Sequence, residues 1–298
     1  MNQISTDISI IYGVSNMTTL SKDNPLAKHF RQPILYIKLP SQGHWYPEGT
    51  VELPVTGEIP VFAMTARDEI TMKTPDALMN GASTVHVIES CCPNIKNAWK
   101  MPLVDLDTIL IAIRLATYGK EMEFTTVCPH CGTKVERGLD LGVVLEKIAP
   151  VDWSAPVRVD NLEIILKPQS YEDYNKNNLV NFEEQRILQL VQDQDLEPEE
   201  KTKQFDTLFQ RLIASGINQV SKSIAGIRLE DGTVVENPEF IHEFLDNCDK
   251  SVWTAIKDQL DAIAKQNNYT DLDLTCSNEE CGKQFVTPFV FEQTNFFE

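Results

Sequence analysis

Four of the seven cysteines stand in two tight pairs, Cys128-Pro129-His130-Cys131 and Cys276-Ser277-Asn278-Glu279-Glu280-Cys281, with residues 132–275 between them. No other feature limits the fold as strongly, because thiols gathered from such distant points require the chain to return on itself. The surroundings of the pairs match. Glu121-Met122-Glu123-Phe124-Thr125 precedes the first, and Asp271-Leu272-Asp273-Leu274-Thr275 precedes the second. Each pair is followed by a glycine, Gly132 or Gly282, then by a lysine within two residues, Lys134 or Lys283, and a strand-like run. A strand, a thiolate-bearing turn, a glycine and a return strand together make a zinc knuckle. Glycine suits the turn because a left-handed backbone lets amides point at the sulfurs.

Two knuckles supply four thiolates in a tetrahedron, a donor set that suits one Zn²⁺ and leaves no open coordination position. The expected ion is therefore structural, held by Cys128, Cys131, Cys276 and Cys281. The first spacing is the stronger signal, and the second lies at the edge of the usual range. Replacement of one cysteine by His130 is an alternative. So are four buried apolar thiols, against which the duplicated context speaks, and a redox pair at Cys128 and Cys131, around which no thioredoxin-like βαβ pattern is seen. By analogy with a covalent cross-link, closing so long a loop removes on the order of 5 kcal/mol of unfolded-state entropy.

Charge and hydropathy narrow the function classes. The 298 residues carry 26 Lys+Arg against 44 Asp+Glu, a net charge of −18. Such a surface repels phosphate backbones, and no basic run reverses the field locally, so nucleic acid is not expected as a partner. No run of about 18 apolar residues is present, which argues against membrane insertion. Met1-Asn2-Gln3-Ile4-Ser5-Thr6-Asp7 lacks the basic and then apolar order of a secretory signal. A soluble, unsecreted chain is expected, in a reducing compartment where paired cysteines read as ligands before disulfides.

The elements alternate in type, so the expected class is α+β. Strands are expected at Ile8–Tyr12, Pro33–Pro40, Val51–Val55 and Ile59–Phe62, the last confined to an edge by Pro60. Thr65 with Asp68 and Glu69 reads as a helix start, and Thr74-Pro75-Asp76 repeats the device, with Asn80-Gly81 as its stop. A short helix over Val85–Cys92 and a longer one over Asp105–Tyr118 follow. In the latter Leu106, Ile109, Leu110, Ile113 and Ala116 form one stripe, while Ile111 and Leu115 lie off it, so cover on most sides is expected. Strands over Glu121–Val127 and Lys134–Leu141 flank the first knuckle, and a short helix reaches Ile148. Beyond the Pro-containing junction Ala149–Pro156 come a hairpin turning at Asp160-Asn161 and helices over Tyr171–Gln192 and Pro198–Ser215, with acidic residues 193–197 between them. A second hairpin follows over Ile227–Val235, its Asp231-Gly232 suited to a type I′ turn. Helices at 238–247 and 250–267 lead to strands Leu272–Thr275 and Gln284–Phe291 around the second knuckle. The expected organisation is a mixed domain over residues 1–149, a helical insertion with hairpins over 150–270, and a return segment over 271–298 that packs back on the first domain.

Nothing in the chain reads as catalytic. There is no P-loop, no Gly-rich dinucleotide fingerprint and no His, Ser or Cys placed as an activated nucleophile. Cys91-Cys92 and Cys248 read as core thiols, and Asp68-Glu69 as acids favoured by a helix N-terminus. His44-Trp45-Tyr46 is a loop with two large aromatics, either plugged into its own core or offered to a partner. Phe289 and Phe291 share one strand face, and Phe296-Phe297 are candidates to dock on a neighbour. Trp45, Tyr46, Phe296 and Phe297 are thus the candidate partner contacts.

Several blocks in fixed order carry a resemblance: Leu39-Pro40-Ser41-Gln42-Gly43-His44-Trp45-Tyr46-Pro47, Met64-Thr65-Ala66-Arg67-Asp68-Glu69, Thr74 through Gly81, Ile113-Arg114-Leu115-Ala116-Thr117-Tyr118-Gly119, and the first knuckle. Over residues 33–145, and again at the C-terminal knuckle, the chain resembles the T4-type phage baseplate proteins, hub or hub-assembly proteins of contractile tails. Residues 150–270 contribute nothing to the resemblance. It implies a non-enzymatic structural protein of the virion tail baseplate, made and assembled in the host cytoplasm. Its expected partners are hub, wedge or tail-tube proteins, in several copies around the tail axis. An assembly catalyst or chaperone for the hub that leaves no copy in the virion is the alternative. A zinc-ribbon regulator binding nucleic acid is a remote one.

Overall fold

In the computed structural model, residues 25–26, 29–73, 81–193, 198–266 and 271–288 are described. The expected strand at Ile8–Tyr12, the helix start at Thr74–Asp76, residues 194–197, and Phe289, Phe291, Phe296 and Phe297 lie outside them. The chain divides into two compact units, Met1–Gln32 and Pro33–Glu298. In the first, the His29 amide donates to the Leu26 carbonyl at 2.9 Å. The following concerns the second.

Strand β1 (Pro33–Lys38) pairs antiparallel with β2 (Glu58–Phe62). Alternation turns Ile37, Ile59 and Val61 inward. The stretch Val51–Val55 is not a strand: only Val51 bridges, to Ile95, and the run then leaves through Pro54 into a turn. Its alternation has no strand beside it to bond, and proline removes a donor. Helix α1 (Ala66–Met72) opens with a capping box, in which the Asp68 amide donates to Thr65 Oγ1 and the Thr65 amide to Asp68 Oδ2. Helix α2 (Ala82–Cys91) follows. Both Cys91 and Cys92 are wholly buried, as core thiols should be.

Helix α3 (Leu106–Tyr118) is the axis of this half. Its Ile109, Leu110, Ile111, Ala112 and Ile113 are all buried, so the expected stripe is covered nearly all round. Gly119 closes it, and strands β3 (Glu121–Val127) and β4 (Lys134–Asp140) form the first knuckle hairpin. Helix α4 (Leu141–Lys147) is capped by Asp140, whose side chain accepts from the Gly142 amide at 2.9 Å.

The next part has its own core. Strands β5 (Val157–Val159), β6 (Leu162–Leu166), β7 (Ile224–Arg228) and β8 (Val234–Val235) form one antiparallel sheet in that order. Helices α5 (Tyr171–Asp193) and α6 (Pro198–Lys222) make a long hairpin between β6 and β7. Helix α6 runs past the expected end at Ser215, because Gly216 keeps an ordinary helical backbone rather than the left-handed one a stop requires. The β7–β8 turn also differs from the expected type I′. The Leu229 amide donates to the Thr233 carbonyl, and only Gly232 of the pair Asp231-Gly232 has positive φ, at 86°. That is the three-residue hairpin connection, in which one left-handed residue suffices. Helices α7 (Pro238–Asn247) and α8 (Lys250–Ala264) complete the part, with Ile164, Leu166, Ile227, Ile241 and Ile256 at its centre.

Backbone bonds join the two halves. The Leu103 amide donates to the Gln169 carbonyl and the Tyr171 amide to the Met101 carbonyl, each at 2.8 Å. Trp99 stacks on Tyr171, ring centroids 5.7 Å apart. The last described hairpin, β9 (Asp271–Thr275) with β10 (Gln284–Pro288), returns the chain to the first knuckle.

Candidate metal centre

Each knuckle is shaped by its own backbone. In the first, the Cys128 amide donates to the Thr133 carbonyl and the Gly132 amide to the Cys128 carbonyl, each at 2.9 Å. In the second, the Cys276 amide donates to the Lys283 carbonyl at 3.0 Å and the Gly282 amide to the Asn278 carbonyl at 2.9 Å. Gly132 and Gly282 both take positive φ, 74° and 53°, the left-handed geometry that a Cβ opposes. The longer second loop is held by Asn278, whose Oδ1 accepts from the Glu280 amide at 3.0 Å.

The two hairpins meet at the sulfurs. Cys131 Sγ lies 3.5 Å from Cys276 Sγ, 145 positions away in sequence. The sulfurs of Cys128, Cys131, Cys276 and Cys281 all lie within 4.8 Å of one another. Zn–S bonds of about 2.3 Å in a tetrahedron place sulfurs about 3.8 Å apart, so the donor set fits without rearrangement beyond side-chain adjustment. Three hydrogen-bonded contacts brace the junction: Arg137 Nη2 to the Thr275 carbonyl at 3.0 Å, Asn278 Nδ2 to Thr133 Oγ1 at 3.3 Å, and Thr126 with Thr287 at 3.2 Å. Among the described residues, Val135 and Phe285 are buried beside the cysteines, with Leu274 partly buried against them. His130 is exposed in its turn and is not one of the four converging ligands.

Crowding splits the acidities. Hydrogen bonding with Thr133 is the largest of the effects that hold the Cys131 thiol down, to about 6. At Cys276 the Asn278 backbone favours the thiolate, but burial and the neighbouring thiols outweigh it and push the group up to about 12. Four thiolates so close repel one another, and a dication relieves that repulsion. Four sulfur ligands would fill a tetrahedral ion, a donor set suited to holding structure rather than to activating water.

The aromatic loop is placed differently. Trp45 is exposed and has φ 71°, a conformation rare for a bulky residue, whereas the Tyr46 ring packs on the core. Tyr46 Oη donates to Asp105 Oδ2 at 3.0 Å. Ser41 donates to the same carboxylate through its amide at 2.8 Å and its hydroxyl at 2.5 Å. Burial raises the Asp105 carboxyl to about 6 despite those bonds. Burial and that carboxylate push the Tyr46 phenol well above its ordinary range. Asp105 is a latch for the loop that the sequence did not reveal: an acid at a helix start reads as a cap, and its partners lie about sixty positions earlier. Asp68, also buried, accepts from Ser90 at 3.0 Å and lies 3.4 Å from His86 Nε2, so it ties α1 to α2.

Residues 46–298 match the family model described as T4 bacteriophage base plate protein. The chain belongs to that family. It is a structural baseplate protein of the virion tail, and its four-cysteine cluster is a candidate structural metal site. No curated protein and no solved structure matches the chain. The baseplate match runs through residues 150–270, so the helical region belongs to the family's own pattern, which the resemblance over 33–145 had not included. Family membership implies assembly with other tail components, and no helix among the described residues is long and apolar enough to cross a membrane.

Proposed function

We propose that the cysteine cluster binds one Zn²⁺ and acts as a clasp, fixing the return segment 271–298 against the first knuckle while residues 150–270 form an inserted module on the 1–149 domain. The observation that carries this reading is the convergence of four thiols from two matched hairpins to within 4.8 Å of one another. A metal at that place holds the chain's distant parts in one geometry, which a platform that transmits contraction requires. The partners are hub, wedge or tail-tube proteins, met in several copies around the tail axis. Trp45 is the described candidate contact, while Tyr46 anchors the loop beneath it. Phe296 and Phe297 are proposed as further contacts.

The test has two parts. Metal analysis of the purified chain is expected to give one zinc per chain, and Cys128→Ser or Cys281→Ser to abolish it and yield baseplate-defective particles. Absence of metal from freshly reduced protein, or normal particles from either variant, defeats the clasp. Quantitative mass spectrometry of purified tails is expected to find the chain at a fixed whole-number ratio to the hub proteins. Its absence from tails would favour the assembly-catalyst reading instead.

A further inference from the structure

Helix α6 has two apolar faces: the chain covers one of them, and the described residues cover the other only at its C-terminal end, where Val220 is buried in the second core. Towards α5 it turns Leu208, Arg211, whose guanidinium lies 3.4 Å from Glu184, and Ser215, whose hydroxyl is 3.3 Å from Asn181 Oδ1. Rotated from that face along the same helix lie Phe209, Ile213, Gly216 and Val220, at spacings of four, three and four. This is the alternation a second helix reads as a packing seam. Phe209 is 68% exposed and Ile213 46%. Phe182 of α5, 49% exposed, lies near the level of Ile213, as the Glu184–Arg211 and Asn181–Ser215 contacts fix the register.

The seam leads into a cavity. Gly216 and Val220 form part of the wall of a space of about 610 Å³, with Trp153, Trp253, Leu260 and Leu103 among its other linings. Two of the wall residues, Trp153 and Gln169, bear buried polar atoms, Nε1 and Oε1, without a hydrogen-bond partner among the described residues. Gly216 itself is unexplained by the chain's own packing. A glycine inside a helix costs about 1 kcal/mol relative to alanine, its φ is not positive, and a Cβ built there meets no atom within 4 Å. What it supplies is a notch at the point where the exposed seam enters the cavity.

We propose that this seam and cavity are a docking groove for a basic amphipathic helix of another protein, seated along the 209–216 stretch of α6 with one large apolar side chain in the cavity. Charge selects the occupant. The cavity carries Asp107 and Asp261 against Lys257, on a chain of net charge −18. A second copy would bring the same acids to the same place, whereas a lysine- or arginine-flanked helix complements them. That the partner is a baseplate component rests on the family membership; the groove does not.

The first probe is a synthetic peptide of about three heptads with leucine at its a and d positions and lysine or arginine around them. Titrated into the full chain, it is expected to change the fluorescence of Trp153 and Trp253, to bind more weakly as salt is added, and to be matched by no scramble of the same composition. Gly216→Leu should weaken binding by about tenfold or more while leaving the melting temperature unchanged or raised, because leucine is the better helix former and its Cβ meets open space. Equal binding by the scramble, or undiminished binding by Gly216→Leu, overturns the groove. The second probe places a photo-crosslinking p-benzoylphenylalanine at Phe209 in chains assembled into tails. A crosslink to a basic, helical segment of another tail protein supports the proposal. A crosslink to a second copy overturns it, as does the absence of any crosslink in tails that contain the chain. The last outcome would leave the baseplate role standing.

Discussion

In the body, Ile109, Leu110, Ile111 and Ile113 of α3 are wholly or almost wholly removed from water, and β1, β2, α2 and the α5 start close around them. At the knuckles, β3, β4, β9 and β10 enclose Val135 and Phe285, with Leu274 partly buried, beside the sulfurs. Each buried aliphatic side chain contributes about 1.5–3 kcal/mol towards offsetting the entropy of ordering the chain, and the body has many of them. Two small hairpins with so small a core of their own are held far less by burial, although Met122, Leu139 and Leu272 also lean on the body, and isolated two-stranded hairpins are marginal in water. One region is therefore held by many apolar contacts, while the other is the part that a bound ion would hold most.

Metal removal should divide the two regions most sharply. Chelation, or Cys276→Ser, is expected to abolish amide protection across 121–140 and 271–288, releasing a closure term on the order of 5 kcal/mol, while the amides of Ile109–Ile113 stay protected. Hydrogen exchange followed by mass spectrometry reads this directly. Equal loss in both regions would show that the body also depends on the ion. The converse change, Ile111→Ala, should cost the body about 2–5 kcal/mol in a denaturant titration while the zinc content remains unchanged.

Asp105 gives the body a pH signature of its own. Its carboxyl is raised from 3.8 to about 6 in the folded chain, so the fold binds the proton more tightly than the unfolded chain does. That contribution is complete below about pH 3.8 and is lost as the pH climbs through about 6. Urea stability measured from pH 4 to 7 should show a falling component that is missing in Asp105→Asn; an identical slope in both would remove Asp105 from the account. Smallest in the series is Thr65→Ala, which breaks one capping box and should cost about 1 kcal/mol by thermal melting, with no effect on the metal.

The knuckles were legible because their chemistry is local: residue types, spacing, a glycine and flanking alternation all sit within about twenty positions. The helix α3 and the Thr65 start were legible for the same reason. The failures share a physical cause. Val51–Val55 alternates like a strand, but a strand needs a neighbour, and local pattern does not say that only Val51 finds one. Ser215-Gly216 looks like a helix stop, yet the helix continues to Lys222 because its apolar positions 217 and 220 still pack on the second core. The bonds from Ser41 and Tyr46 to Asp105 join distant positions, so no window along the sequence contains them.

The separation of the knuckles also sets an order of events during synthesis. Cys131 leaves the ribosome 145 positions before Cys276. At about 5–20 residues per second, that interval lasts on the order of ten seconds. Throughout it the first hairpin carries two ligands of a four-ligand site, and the body can fold without waiting for them. Closure of the cluster is then a late, chain-wide event. A product broken off before Cys276 would expose an unfinished pair of thiols.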